Sequence, residues 1–139
     1  FSAGSQPRGE VNPLAIETLR EYGYPTDGLR SKRWDEFAGP AAPVMDFVFT
    51  VCDQAAGEAC PVWPGQPMTA HWGIEDPSHE NREGLWKQAA FAQAFRYMRN
   101  RISVFVSLPF ESLERTSLNA KMGGIGQLEG ASARRPDVA

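Results

Sequence analysis

The two cysteines of this sequence have the side chains that are best suited to catalysis. Cys52 follows a strongly apolar run, and Cys60 lies eight positions later in a stretch rich in Gly, Ala and Pro. A thiol at the end of a buried strand and a second thiol in a flexible loop can close and reopen a disulfide if the attacking sulfur has thiolate character. The alternative is a pair of core cysteines, because free cysteine is among the most buried residue types.

A short acidic stretch downstream offers a candidate proton donor. Asp76 precedes Pro77 in a polar loop, and a carboxyl group there can act as a general acid if burial raises its pKa. The more common role of an Asp-Pro pair is to cap a turn. Glu75 is the second candidate for the acid. His71, beside Trp72, is interpreted as a packed and hydrogen-bonded structural residue.

A metal site is not predicted. Structural zinc takes four ligands at short spacings. Beyond the two thiols, the sequence offers only His71 and His79, and their spacing of eight matches no common zinc pattern. We therefore expect no bound metal and no bound cofactor.

Composition narrows the class of protein. The 139 residues fit one domain, with 42% hydrophobic and 22% charged residues, as in ordinary globular proteins. A net charge of −3 provides no electrostatic footprint for nucleic acid or an anionic membrane surface. No apolar run approaches the roughly 20 residues of a membrane span. Two cysteines are too few for a disulfide scaffold in a chain of this length.

The elements that would position these residues alternate between helix and strand. Asn12 and Pro13 form a good helix start, and Gly23 provides a left-handed stop. The run 45–51 is predicted to be a strand buried on both faces, with Asp46 facing solvent or a loop. The other predicted elements are a short helix at 31–37, a strand at 68–72, a long helix at 82–108 and a last helix at 110–122, ended by glycines.

The long helix has the clearest pattern. Its predicted inward stripe follows three- and four-residue steps, and its arginines, Arg101 among them, lie largely off that stripe. The stripe consists of Leu85, Ala89, Ala92, Phe95, Met98, Ile102 and Phe105.

Alternation of strands and helices predicts an α/β domain with a parallel sheet. The domain is expected to cover residues 1–126. Residues 127–139 are polar and small, and we expect them to form a disordered tail.

Several short motifs, in one order, resemble a known family. They look like the arsenate reductases built on the low-molecular-weight tyrosine phosphatase fold, and the resemblance spans roughly residues 1 to 120. The motifs are Ser2-Ala3-Gly4-Ser5, Gly28-Leu29-Arg30-Ser31-Lys32, Phe49-Thr50-Val51-Cys52-Asp53, Cys60-Pro61-Val62-Trp63-Pro64 and His71-Trp72-Gly73-x-x-Asp76-Pro77.

The resemblance implies a role for each candidate. In such reductases a loop cysteine attacks arsenate, and a second cysteine, matched by Cys52, attacks the adduct and releases arsenite. A third, matched by Cys60, resolves the disulfide and presents it to thioredoxin. Asp76 would protonate the departing oxygen. The implied electron donor is thioredoxin, glutaredoxin or a glutathione- or mycothiol-type thiol, and the implied compartment is the cytoplasm.

The family's attacking loop, C-x5-R, is not matched. Cys52 is followed six positions later by Glu58 and Cys60 by Gln66, and no arginine stands at either place. The resemblance implies a three-layer sandwich with a small, four-stranded parallel sheet, so we expect a truncated chain that lacks the first strand and helix and is inactive as given. An absent central strand would expose sheet edges, which predicts pairing with a second copy.

Two other functions stay open. A low-molecular-weight protein tyrosine phosphatase shares the implied fold but usually has aromatic residues after the Asp-Pro pair, where this chain has Ser78, His79 and Glu80. A non-catalytic remnant or binding module of the same fold is the third possibility.

Overall fold

The structure, a computed structural model, describes residues 1–52 and 63–132. Three α-helices and two strands form its regular part, together with three short 3₁₀ turns. The helices are α1 (Pro13–Glu21), α2 (Leu85–Val106) and α3 (Arg115–Ile125), the strands are β1 (Phe47–Thr50) and β2 (Met68–His71), and the 3₁₀ turns cover Trp34–Phe37, Pro77–His79 and Phe110–Ser112.

Helix α1 begins and ends where local chemistry predicts. The side chain of Asn12 accepts a hydrogen bond of 2.9 Å from the N–H of Leu14, and Pro13 occupies the first helical position. Gly23 has a φ of +78°, a left-handed conformation that glycine adopts without a steric cost. Both boundary predictions are confirmed.

Strands β1 and β2 pair in parallel. The register places Phe47 opposite Met68 and Thr50 opposite His71. The α/β class and the parallel pairing are therefore confirmed, and within the described ranges the sheet has two strands. A separate parallel bridge joins Gly4 to Arg33.

The prediction that β1 is buried on both faces is wrong. All four of its residues are only half-buried. The physical reason is that β1 has one hydrogen-bonded neighbour, β2, among the described residues. Asp46, at the entrance of the strand, is exposed as predicted. Pairing of this edge with a second copy stays a prediction.

Aromatic side chains join the sheet to α2. The ring of Phe105 lies 5.0 Å from that of Phe47 and 5.1 Å from that of Phe49, both nearly edge-on. Phe49 also stacks on Trp72 with a centroid separation of 3.9 Å. Among the described residues, the buried hydrophobic side chains are those of Phe37, Trp72, Phe91, Leu118, Met122 and Ile125.

The predicted stripe of α2 is partly wrong. Leu85, Ala89 and Ile102 are exposed, whereas Arg101 has no exposed surface at all. The cause is tertiary: the chain after α3 covers the side of the helix that carries Arg101, and the guanidinium Nη2 donates to the carbonyl of Leu128 at 3.4 Å. Helical spacing fixes which residues share a face, but it does not say which face a later segment covers.

The last predicted helix, over 110–122, divides into a 3₁₀ turn and α3. Glycines were expected to end it, yet α3 continues through Gly123 and Gly124 to Ile125. Two turns of α3 bury Leu118, Met122 and Ile125. The burial of these side chains outweighs the roughly 1 kcal/mol that a glycine costs inside a helix.

Part of the predicted tail is described. The N–H of Ser132 donates to the carbonyl of Gly73 at 3.0 Å, and Ala131 pairs with Ile74 in an antiparallel bridge. Ala131 and Ser132 thus contact the chain just after β2, whereas residues 133–139 lie outside the described residues.

Candidate active site at the carboxyl edge of the sheet

Parallel pairing brings Cys52 and Asp76 to one edge of the sheet. Cys52 comes two residues after β1 ends, and the chain from β2 follows alongside: the N–H of Trp72 donates to Thr50 at 2.7 Å and the N–H of Ile74 donates to Val51 at 3.1 Å. Ligands of open α/β sheets bind outside the carboxyl ends of the strands. The two candidates therefore lie at the edge where such a site is expected.

The side chain of Cys52 is exposed. Its partner in the predicted relay, Cys60, lies outside the described residues, so the distance between the two sulfurs is not part of the described geometry. The relay therefore stays a prediction from the sequence, supported at one of its two positions by access to solvent.

Asp76 caps the short turn Pro77–His79. Its Oδ1 accepts a hydrogen bond of 2.8 Å from the N–H of Ser78, and its Oδ2 lies 3.8 Å from Nε2 of His79. Burial alone raises the pKa of Asp76, but hydrogen bonds from the hydroxyl and N–H of Ser78, with the charges of His79 and Arg8, outweigh it and lower the pKa below its usual value. The cap that is typical of Asp-Pro is thus present, and the general-acid role stays a prediction. Glu75, the second candidate for that role, is exposed.

His71 is a packed and hydrogen-bonded residue, as predicted. Its Nδ1 lies 2.7 Å from Oγ1 of Thr50, across the two strands. The neighbouring Trp72 is 2% exposed, and its indole N–H donates to the carbonyl of Met122 at 2.9 Å. These contacts fix the end of β2 from which Asp76 extends.

Sequence reasoning missed two contributors to this edge. Arg8, before α1, is close enough for its charge to lower the pKa of Asp76. Residues 131–132 bond to the chain between β2 and Asp76. Neither carries a local signal, because both contacts join parts of the chain that are distant in sequence.

The described ranges contain neither a cluster of metal ligands nor a helix that could span a membrane. Within residues 1–52 and 63–132, no three His, Cys, Asp or Glu side chains cluster closely enough to bind a metal ion. None of the helices in these ranges combines the length and apolar character that crossing a bilayer requires.

Comparison with known proteins identifies the family. Residues 1–119 match the low molecular weight phosphotyrosine protein phosphatase family. The arsenate reductase of Oceanobacillus iheyensis is 33% identical over 105 residues, which are 76% of this chain and 72% of the relative. That of Bacillus subtilis is 30% identical over the same shares, and that of Staphylococcus xylosus is 35% identical over 78 residues, 56% of each chain.

These matches confirm the resemblance on which the sequence analysis relied, to arsenate reductases built on this phosphatase fold. The family match covers most of the chain and includes both strands. The chain belongs to the low molecular weight phosphotyrosine protein phosphatase family, a family of enzymes.

Proposed function

We propose that this chain belongs to an arsenate reductase, in which thiols supply the two electrons that convert arsenate to arsenite. The main support is the hydrogen bond from Ile74 to Val51, because it holds the segments that carry Cys52 and Asp76 side by side at one sheet edge. The names of the relatives support the same substrate.

The first step needs a thiolate other than the two in this sequence. Neither Cys52 nor Cys60 is followed by the arginine of a C-x5-R loop. A cysteine of such a loop, or a low-molecular-weight thiol, attacks arsenic and forms an arsenic–sulfur bond. One oxygen of arsenate then leaves as water, after taking one proton from Asp76 and one from solvent.

The second step is the reduction itself. The thiolate of Cys52 attacks the sulfur of the adduct, so that a disulfide forms and the arsenic–sulfur bond breaks. The electron pair of that bond stays on arsenic, which passes from the +5 to the +3 state and leaves as arsenite. Cys60 then attacks the sulfur of Cys52, releases the first thiol and leaves a Cys52–Cys60 disulfide.

The protonation of Asp76 follows from the charge of the substrate. In the described structure the pKa of Asp76 is lowered, so the carboxyl group is ionised at neutral pH. A bound oxyanion adds negative charge nearby, which disfavours the ionised carboxylate and raises its pKa. We propose that arsenate binding loads Asp76 with the proton that it then donates.

A reductant must return the Cys52–Cys60 disulfide to two thiols. A dithiol protein of the thioredoxin or glutaredoxin type, or a glutathione- or mycothiol-type thiol, provides the two electrons. Such a cycle suits the reducing cytoplasm, where structural disulfides are rare.

The alternative within the family is hydrolysis of an aryl phosphate. The family match favours this alternative, but the residues after Pro77 are Ser78, His79 and Glu80, which include no Phe, Tyr or Trp to pack against the phenyl ring of such a substrate. A non-catalytic remnant of the fold is the third possibility, and it predicts neither activity.

The experiment measures arsenite by chromatography coupled to arsenic-specific detection. The chain is assayed with thioredoxin, thioredoxin reductase and NADPH, or with glutathione and glutaredoxin, both alone and joined to a segment carrying a C-x5-R loop. Arsenite formation that requires Cys52 supports the proposal. Hydrolysis of p-nitrophenyl phosphate without arsenite formation would transfer support to the phosphatase, and the loss of both activities would favour the remnant.

A further inference from the structure

Arg101, in the last third of the long helix α2, is completely buried, and no carboxylate within residues 1–52 and 63–132 pairs with it. Its Nη2 donates to the carbonyl of Leu128 at 3.4 Å, and its Nε and Nη1 make no hydrogen bond within the described ranges. Burial lowers the pKa of its guanidinium group. A buried cation with so few contacts is costly, so its retention calls for a reason other than stability.

The segment that Arg101 contacts runs from the end of α3 to the end of β2. We name residues 126–132 the C-terminal strap. At its start, a Cβ on Gly126 would overlap the carbonyl oxygen of His71, so the backbone passes directly against β2. Near its end, Gly130 has a φ of +85° and lies against the ring of Tyr97 on α2. The strap is thus pressed onto both the sheet and the long helix.

The strap holds the chain that leads to Asp76. Ser132 donates to the carbonyl of Gly73 at 3.0 Å, and Ala131 bridges Ile74. On its other side, Ile74 donates to the carbonyl of Val51 at 3.1 Å. The two residues after Trp72 are therefore clamped between the strap and the end of β1, directly before Glu75 and Asp76.

We propose that Arg101 is a positioning residue: it anchors the C-terminal strap to α2, and through the strap it fixes the strand end from which Asp76 reaches the site. The catalytic part of this inference depends on the proposed function, whereas the structural link from Arg101 to Asp76 does not. The family match ends at residue 119, within α3, so the whole strap lies beyond the matched residues. The strap therefore adds a second support to the acid loop, independent of the pairing between β1 and β2.

The chemistry of the contact explains why the anchor is an arginine. The carbonyl of Leu128 accepts two hydrogen bonds, one from the N–H of Ala131 at 3.1 Å within the strap and one from Nη2 of Arg101 at 3.4 Å. A carbonyl oxygen has two lone pairs, so the long arginine side chain adds a second donor, from α2, without displacing the first. An apolar side chain of similar length would fill the space and would remove the cost of the buried charge, but it would also remove the hydrogen bond that joins the strap to α2. Stability and positioning therefore respond to this substitution in different directions.

The test compares Arg101→Met, Arg101→Lys and a matched control, Arg99→Met, which replaces an exposed arginine of the same helix. Hydrogen exchange is measured at the strap amides of Ala131 and Ser132, and the pKa of Asp76 is measured by carboxyl-carbon NMR. For Arg101→Met we expect strap exchange to accelerate about tenfold, in line with one lost hydrogen bond. The pKa of Asp76 should rise toward its ordinary value, because the charge of Arg8, from a distant part of the chain, lowers this pKa only while the strand end holds Asp76 in place.

The control and the conservative variant sharpen the result. Arg99→Met should behave like the wild type, and Arg101→Lys, which keeps a donor and a charge, should fall between the wild type and Arg101→Met. An unchanged pKa of Asp76 together with unchanged strap exchange would overturn the proposal. So would a uniform acceleration at all slow amides, because that would show a merely structural role. If Arg101→Met does not fold, Ser132→Pro removes the strap N–H instead, and an unchanged pKa of Asp76 in that variant would overturn the proposal equally.

Turnover separates this inference from the function on which it depends. In a preparation that reduces arsenate, Arg101→Met should lower kcat about tenfold while the KM for arsenate stays within about twofold, because misplacement of an acid affects the chemical step. Wild-type kcat in this variant would overturn the catalytic part. If no wild-type preparation reduces arsenate, the proposed function fails, and the NMR measurements still decide whether Arg101 fixes Asp76.

Discussion

Two glycines at the carboxyl end of α3 should respond in opposite directions to the same substitution by alanine. Gly126, which caps the helix, has a φ of −62°, so an alanine there meets no backbone strain. Its new Cβ would overlap the carbonyl oxygen of His71 and lie 3.0 Å from Cδ1 of Trp72. Gly124, two positions earlier, has nothing within 4 Å of the place where a Cβ would lie.

The magnitudes follow from these contacts. At Gly126 the carbonyl belongs to β2 and cannot rotate away, so α3 must shift by on the order of 1 Å, an overpacking that costs about 1–3 kcal/mol. The reduced entropy of the unfolded chain offsets roughly 0.4–1 kcal/mol of this cost. At Gly124 only the favourable effect applies, about 0.5–1 kcal/mol in a helix. The two variants should therefore differ in free energy of unfolding by roughly 2 kcal/mol.

Urea unfolding of both variants measures the difference. Trp72 is buried against α3 and contributes a fluorescence signal, and far-ultraviolet circular dichroism should give a coincident transition if unfolding is two-state. With equal slopes, the midpoint should fall for Gly126→Ala and rise for Gly124→Ala. A Gly126→Ala variant as stable as the wild type would refute the close packing of α3 against β2. Equal destabilisation by both would refute the continuation of α3 through its glycines.

Three further predictions concern the site and its surroundings. Cys52→Ser should abolish arsenite formation in an active preparation but should leave arsenate binding intact. Normal turnover by this variant would refute the relay. Asp76→Asn should lower kcat about 100-fold, as loss of a general acid does, whereas Glu75→Gln should stay within about twofold of the wild type; the reverse order would exchange their roles. Hydrogen bonds from Arg82 are the main cause that lowers the pKa of Glu80 to about 2. The stabilisation of the folded state by this pair is therefore present above a pH of about 4.5 and is lost as the pH falls toward 2. A carboxyl-carbon titration should show this, and Arg82→Met should return the pKa of Glu80 toward its ordinary value.

Local chemistry was sufficient to predict the elements whose boundaries depend on neighbouring residues. Helix α1 starts at an Asn-Pro pair and stops at Gly23, and both signals act within one turn of the helix. The carboxyl edge could also be predicted in part, because parallel strands place the residues that follow them at the same end. Cys52 and Asp76 lie there for this reason.

Contacts between distant parts of the chain determine the features that the sequence pattern did not predict. The burial of Arg101 and the continuation of α3 through Gly124 both depend on segments that meet only in the folded chain. A charged residue off the apolar stripe is normally exposed, and nothing near Arg101 in sequence announces that Leu128 will cover it. The proximity of Arg8 to Asp76 could not be predicted for the same reason, because the two residues are distant in sequence.

The motif His71-Trp72-Gly73-x-x-Asp76-Pro77 has a largely structural role in this chain. Of its residues, Trp72 is buried and bonded to Met122, and Gly73 accepts a hydrogen bond from Ser132. Both partners lie beyond the matched residues, which end at 119. The segment after residue 119 thus holds Trp72 and Gly73 in place, and Asp76 is the residue of the motif that remains available for chemistry. A substitution in the His-Trp-Gly part of this motif should therefore be interpreted first as a change in how the acid is held, and only then as a change in the chemistry itself.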